Sequence, residues 1–197
     1  MNKANKITIT RIIMSMIIIL LLLFPFDEMG LEFPTYLVGG KVLVDLKYII
    51  VGILFIIASL TDFLDGYVAR KYNLVTDFGK MIDAISDKLL TNSVLIILAC
   101  NGKISTIVAV VIVMRDIVVD SIKMVIGNQG TAVAAIGLAK VKTATLMVGI
   151  ILTLFSNLPF ELISLRISDF LLAIAAVLSI ISAAKYYIMA KPYLQNK

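Results

Sequence analysis

Four aspartates lie near the ends of two apolar stretches, at spacings that suit metal chemistry. Asp62 and Asp65 are three residues apart and Asp83 and Asp87 are four apart, so each pair lies on one face of a helix. An aspartate at the centre of a membrane helix costs about 2.5 to 3.5 kcal/mol, and an interaction must offset that cost. Carboxylate oxygens without His or Cys nearby suit Mg²⁺, Mn²⁺ or Ca²⁺, and two such ions are suited to displacement at phosphorus.

Residues around the aspartates indicate a phosphate ligand. Arg70 can fork onto phosphate oxygens, and Gly66 and Gly79 would let a ligand approach the backbone closely. The alternative is that the aspartates only pair with Arg70, Lys80 and Lys88 at a membrane edge. We favour the metal site, because a solvated edge needs neither this spacing nor these glycines.

The composition is that of a membrane protein. Of 197 residues, 60% are hydrophobic and 16% charged, and the mean hydropathy is +1.03, whereas a soluble domain has about 45–50% apolar and 25% charged residues. The chain has no His and one cysteine, Cys100, which excludes an intrachain disulfide and nucleophiles activated by His. We expect membrane lipids as surroundings and no nucleic acid partner.

Apolar runs between charged or turn-forming clusters predict an all-α polytopic protein with six transmembrane helices, forming a single domain over residues 1–197. The second and third helices have a short connection and are therefore expected to be antiparallel neighbours whose Asp-bearing ends meet. The predicted helices lie near Ile7 to Phe26, Lys47 to Ala69, Phe78 to Ala99, Ile104 to Ile126, Ala139 to Phe155 and Phe170 to Met189.

Positive charge predicts the orientation. With six spans both termini lie on one side, and that side carries fourteen of the 18 Lys and Arg residues, leaving four on the other. Cytoplasmic loops are enriched in Lys and Arg. We therefore expect a multi-pass protein of the cell (inner or cytoplasmic) membrane, with the termini and the active site facing the cytoplasm.

A second acidic pair, Asp116 and Asp120, is flanked by Arg115 and Lys123. Local ion pairing with these two cations would satisfy both acids. We favour that interpretation over a direct role in metal binding.

Three cations near cytoplasmic helix ends, Arg115, Lys140 and Lys142, could bind a monophosphate, which needs two or three converging positive charges. The alternative is anchoring against anionic lipid headgroups. Because Lys140 and Lys142 are two residues apart, they cannot share a helix face, and one of them is expected to face lipid.

The acidic segment resembles the signature of the CDP-alcohol phosphotransferase family at every defined position. It reads Asp62-x2-Asp65-Gly66-x2-Ala69-Arg70-x8-Gly79-x3-Asp83-x3-Asp87. The resemblance implies a six-helix membrane enzyme, commonly a homodimer, with two Mg²⁺ or Mn²⁺ ions held by its four aspartates and with the last of them, Asp87, as the catalytic base. It also implies a CDP site formed by Asp62, Asp65, Gly66, Arg70 and Gly79.

Three further segments resemble the branch of that family whose acceptor is glycerol 3-phosphate. They are Asn5 to Arg11, the pair Arg115-Asp116 and the run from Gly137 to Thr143. This resemblance implies transfer of the phosphatidyl group of CDP-diacylglycerol to glycerol 3-phosphate, with release of CMP. Another acceptor, such as inositol phosphate, serine or phosphatidylglycerol, is the nearest alternative, and a non-enzymatic carrier of divalent cations is a more distant one.

Overall fold

The computed structural model describes residues 3–71, 77–127 and 137–195. In these residues each predicted apolar segment corresponds to one α-helix, which confirms a predominantly helical protein. The helices are α1 (Lys3–Leu23), α2 (Leu46–Lys71), α3 (Asp77–Cys100), α4 (Thr106–Gly127), α5 (Gly137–Leu154) and α6 (Ile167–Gln195).

The helix ends differ from the predicted ends where polar residues or proline are involved. Helix α1 ends at Leu23 rather than Phe26, because Pro25 cannot continue the hydrogen-bond ladder. Helix α6 runs to Gln195 rather than Met189, since hydropathy does not detect a polar final turn. Two 3₁₀ turns, Asp27–Met29 and Phe160–Ile163, lie in the connections.

A β-hairpin precedes α2, which the all-α prediction did not include. Strands β1 (Thr35–Val38) and β2 (Val42–Asp45) pair antiparallel. Gly39 and Gly40 in the turn have φ of 61° and 69°, a conformation that glycine adopts without strain. The sequence signal was the Gly39-Gly40 pair between two short runs rich in Val, Leu, Thr and Tyr, and runs this short do not register in a search for membrane-length segments.

Helix α1 packs along both α2 and α3, which contact each other far less. The predicted pairing of α2 with α3 is therefore largely mediated by α1. Helix α6 packs against α4 and α5, and α5 also contacts α2. Buried apolar side chains from all six helices form the core between them. One from each helix, in chain order, is Ile18, Phe55, Leu95, Ile112, Ile150 and Leu172.

Helices α5 and α6 pack closely at a glycine of α5. A Cβ atom at Gly149 of α5 would lie 2.9 Å from the Leu172 side chain of α6, so the glycine permits this approach. Ser179, Ser182 and Tyr186 of α6 are fully buried, and their spacing places them on one helix face. This polar face carries part of the site described below.

Large apolar side chains remain exposed on all six helices. Within the described residues, Gly137–Leu154 and Ile167–Pro192 are long and apolar enough to cross a membrane, and the apolar part of α1, Ile7–Leu23, is shorter. Helices α3 and α4 carry several charged residues within their apolar runs. Exposed apolar residues on the helices include Ile13, Leu20, Ile53, Leu60, Ile85, Ile96, Ile107, Met114, Val148, Phe170 and Ile180.

Candidate functional site

Arg11 joins the helices that carry the aspartates. Its side chain is fully buried, and Nη1 donates hydrogen bonds to Oδ1 of Asp62 on α2 and to Oδ1 of Asp83 on α3, the latter at 3.1 Å. Carboxylates from two helices thus converge on one nitrogen atom. The predicted meeting of the acidic helix ends is present, and a cation of α1 lies at the meeting point.

Sequence reasoning assigned no role to Arg11, although it belongs to the Asn5 to Arg11 segment. A signal was available: Thr8, Arg11 and Ser15 are buried and recur at helical spacing in an otherwise apolar run. They form a polar stripe on the face that α1 turns towards α2 and α3. Such a stripe in an apolar helix indicates polar partners on neighbouring helices.

Asp87 lies one turn beyond Asp83 on α3, within electrostatic range of Asp62, Asp83 and Asp116. Gly66 belongs to the last turns of α2 and Gly79 to the first turn of α3. Asp65 and Arg70 also belong to α2, but their side chains lie outside the part of the chain that the structure describes.

The donor chemistry at the Arg11 contact fits a hard divalent cation. Among the described side chains, no three acidic or cysteine residues lie close enough together to hold a metal ion. Asp62 and Asp83 nevertheless direct oxygen atoms at one point, which Nη1 of Arg11 occupies in this structure. Oxygen ligands of this kind suit Mg²⁺ or Mn²⁺, so the residues present fit the predicted metal.

Lys88 pairs with Asp120 and so connects α3 to α4. Lys123, which was expected to pair with Asp120, lies with Nζ 5.1 Å from the centre of the Tyr186 ring. The expected local pairing is therefore confirmed for Asp116 with Arg115 and wrong for Asp120. The partner of Asp120 comes from another helix, which residue spacing along α4 cannot reveal.

A buried polar network joins α4, α5 and α6. Asp116 Oδ1 accepts hydrogen bonds from Arg115 Nη1 at 2.8 Å and from Lys142 Nζ at 2.9 Å. Ser182 Oγ accepts from Arg115 Nη2 at 2.7 Å and from Nε at 3.2 Å. The side chains of Arg115, Asp116 and Lys142 are 10%, 11% and 4% exposed, so two cations and one carboxylate share a nearly dry site.

The two lysines of α5 point in different directions, as their spacing predicted. Lys142 is buried in the network with Asp116, whereas Lys140 is exposed. The structure therefore brings together two of the three predicted acceptor cations, Arg115 and Lys142, and leaves the third at the surface.

The helices that carry the acidic and basic groups are in contact, since the Lys88–Asp120 ion pair joins α3 to α4. Asp87 and Lys142 lie within electrostatic range of each other, as do Asp87 and Asp116. One end of the bundle thus presents carboxylates on α2 and α3 next to cations on α4 and α5. This arrangement can bind a metal and a phosphate side by side.

A separate cavity of about 440 Å³ lies at the opposite end of α2 and α3. Lys41, Lys103 and Arg166 are among its lining residues, and it contains none of the predicted site residues. Desolvation lowers the pKa of Lys103, while the nearby Asp45 carboxylate acts in the opposite direction.

Comparison with known sequences identifies one matching family. The profile of the CDP-alcohol phosphatidyltransferase family matches residues 1–181, which include every predicted site residue.

Several bacterial proteins that bear the name CDP-diacylglycerol–glycerol-3-phosphate 3-phosphatidyltransferase are similar to this chain. The Bacillus subtilis protein is 39% identical over 186 residues, which cover 94% of this chain and 93% of that protein. The Rickettsia felis protein is 39% identical over 142 residues, 72% of this chain and 78% of that one. The Mycoplasma genitalium protein is 35% identical over 153 residues, 77% of this chain and 64% of that one.

Proposed function

Because this chain belongs to the CDP-alcohol phosphatidyltransferase family, we propose that it transfers the phosphatidyl group of CDP-diacylglycerol to glycerol 3-phosphate. The products are phosphatidylglycerophosphate and CMP, as the name of its Bacillus subtilis relative implies. The observation that carries this proposal is the buried pair of cations, Arg115 and Lys142, that meet at one carboxylate oxygen, because a phosphorylated acceptor needs converging positive charges.

The reaction uses Asp87 as the base. Asp87 takes the proton of the acceptor hydroxyl, whose oxygen forms a bond to the phosphorus that carries diacylglycerol, while the bond from that phosphorus to CMP breaks. A carboxylate with an ordinary pKa near 4 is a weak base for an alcohol. Orientation of the hydroxyl towards both Asp87 and phosphorus therefore has to supply much of the acceleration.

The donor site is assigned to the ends of α2 and α3. Asp62, Asp65, Gly66, Arg70 and Gly79 bind the CDP part of the donor. Asp62, Asp65, Asp83 and Asp87 would hold two divalent ions, Mg²⁺ or Mn²⁺. When bound, these ions supply positive charge that stabilises the pyrophosphate and the departing CMP.

The acceptor phosphate is assigned to Arg115 and Lys142, with Lys140 as the third predicted cation. Charge-assisted hydrogen bonds from Arg and Lys are the strong contacts available to a phosphate. The exposed position of Lys140 supports a lesser contribution from it, through the local field rather than through a fixed contact.

The chain is proposed to form a single domain over residues 1–197 that crosses the cell membrane six times, with termini and active site in the cytoplasm. Large apolar side chains exposed on every helix support this, since a soluble monomer buries most of its large apolar side chains. The uneven distribution of Lys and Arg supports the orientation. A homodimer, as implied by the family resemblance, completes the proposal, and light scattering of the purified protein tests it.

Release of CMP tests the function directly. Purified protein in detergent receives CDP-diacylglycerol with glycerol 3-phosphate, inositol phosphate, serine or phosphatidylglycerol as acceptor. We expect CMP and a phosphorylated lipid product with glycerol 3-phosphate, and much slower release with the other three. Preference for inositol phosphate or a neutral acceptor would reassign the acceptor. Cation flux in vesicles, with no CMP released from CDP-diacylglycerol in the presence of any acceptor, would contradict the enzymatic proposal.

A further inference from the structure

Asp116 is a buried carboxylate that the proposed reaction does not use, yet both buried acceptor cations bind to it. One oxygen atom, Oδ1, receives Lys142 Nζ at 2.9 Å and Arg115 Nη1 at 2.8 Å. Lys142 comes from α5, 26 residues further along the chain. A single acceptor atom therefore sets the separation of two cations from different helices.

Ser182 orients the other side of the guanidinium. Its hydroxyl donates to the backbone oxygen of Ser179 at 2.9 Å, so its lone pairs face Arg115, whose Nη2 and Nε donate to it at 2.7 and 3.2 Å. Ser182 is fully buried. Together with Asp116 it restrains all three guanidinium nitrogens, and in a planar group this fixes the direction of the remaining N–H bonds.

We propose that Asp116 and Ser182 are positioning residues that hold Arg115 and Lys142 in the geometry that binds the acceptor phosphate. This inference rests on the proposed function. Each terminal nitrogen of Arg115 keeps a second N–H, and Lys142 keeps two further donors, which can serve the phosphate. Preorganised donors bind with less loss of side-chain entropy than free ones.

The balance of charges at this site also supports a positioning role for Asp116. Arg115 and Lys142 carry two positive charges in a nearly dry site, and Asp116 reduces the total to one. Without this carboxylate the two cations would repel each other at short range, because a low-dielectric site screens them poorly. With Asp116 present, Arg115 and Lys142 already lie close together when a phosphate dianion approaches. Without it, the two cations would move apart.

The decisive variant is Asp116→Asn, which keeps the size of the side chain and removes its charge. The matched control is Asp120→Asn, four residues further along the same helix. Asp120 pairs with Lys88, which is not one of the acceptor cations. We expect Asp116→Asn to raise KM for glycerol 3-phosphate about tenfold or more. KM for CDP-diacylglycerol should stay within about twofold in both variants, since the described partners of Asp116 are Arg115 and Lys142 and that of Asp120 is Lys88, none of which is assigned to the donor site.

Ser182→Ala provides a second variant if Asp116→Asn does not fold. It removes the acceptor of two Arg115 hydrogen bonds without changing charge. We expect a smaller rise in KM for glycerol 3-phosphate, about threefold to tenfold, again with little change for the donor.

A binding measurement separates this inference from the proposed function. Thermal unfolding of detergent-solubilised protein is recorded with and without glycerol 3-phosphate, and with inorganic phosphate as a simpler probe. Wild type and Asp120→Asn should be stabilised by both ligands, whereas Asp116→Asn and Ser182→Ala should lose most of that stabilisation. If folded Asp116→Asn and Ser182→Ala both keep wild-type KM and ligand stabilisation, the positioning role is wrong. If wild type itself neither releases CMP nor responds to glycerol 3-phosphate, the proposed function fails instead.

Discussion

Arg11 Nη1 donates a 3.1 Å hydrogen bond to Asp83 Oδ1, although 72 residues separate the two in the chain. The same nitrogen donates to Asp62, so a cation of α1 joins α2 and α3 through their carboxylates. Asp62 and Asp83 are themselves partly exposed, while the Arg11 side chain is not. A buried guanidinium without partners would be costly, and these contacts therefore matter to stability as well as to the site.

Replacing Arg11 with Met should lower the free energy of unfolding by roughly 1.5 to 3 kcal/mol, since it removes hydrogen bonds between charged groups. The carboxylates can regain water, which keeps the loss below that of a fully buried pair. Thermal unfolding in detergent with a chelator present measures the effect. The control is Arg166→Met, which removes a pair with Asp169 at 4.0 Å from a side chain that is 79% exposed and should cost about 0 to 1 kcal/mol. Equal stability of the two variants would contradict a structural role for Arg11.

Removing divalent metal should abolish CMP release, and adding Mg²⁺ or Mn²⁺ should restore it, because the proposed donor site is built from carboxylates. Asp62→Asn should need a higher metal concentration for half-maximal activity, since it loses one charged ligand. Asp169→Asn, at the opposite end of the bundle, should keep the wild-type metal dependence. Full activity after exhaustive chelation would rule out the metal site.

Asp87→Asn should remain folded and lose activity by about a hundredfold or more, because it removes the proposed base and a proposed ligand. The measurement is kcat for CMP release, with size-exclusion chromatography and thermal unfolding to establish folding. Asp120→Asn on the adjoining helix serves as a control for the loss of one negative charge. A folded Asp87→Asn protein with near-normal kcat would remove Asp87 from the mechanism.

Single cysteines test the orientation in the membrane. In a Cys100→Ser background, a cysteine replacing Glu32 should react with a membrane-impermeant thiol reagent added to intact cells, since Glu32 lies between α1 and α2 on the proposed outer side. A cysteine replacing Asn73, between α2 and α3, should react only after the cells are opened. The reverse pattern would place the active site outside the cytoplasm.

The two lysines of α5 should differ in their effect on acceptor binding. Lys142→Ala removes a buried, charge-assisted donor, and KM for glycerol 3-phosphate should rise about tenfold to a hundredfold. Lys140→Ala changes an exposed side chain and should raise the same KM by a smaller factor. Measured KM values for both substrates test this, and a larger effect of Lys140→Ala would mean that the exposed lysine is the main phosphate ligand.

Local patterns in the sequence were sufficient to predict the helical segments and to propose the candidate site residues. An apolar run of membrane length predicts a helix whatever its neighbours are, because the backbone must satisfy its own hydrogen bonds in lipid. Helical periodicity likewise separated Lys140 from Lys142 before any contact was known. The hairpin before α2 was missed because its strands are only four residues long each and the glycine pair between them is weak evidence beside long apolar runs.

Only the tertiary structure decided which charged groups meet. Spacing along one helix predicts partners three or four residues away, and it failed for Asp120, whose partner Lys88 lies on another helix. The contacts of Arg11 with two carboxylates, and of Asp116 with Lys142, depend on how α1 lies across α2 and α3 and how α5 packs near α4. In a dry interior a charged group pairs with whichever opposite charge packing brings within reach, and that choice is made by contacts between helices that the sequence of any one helix does not contain.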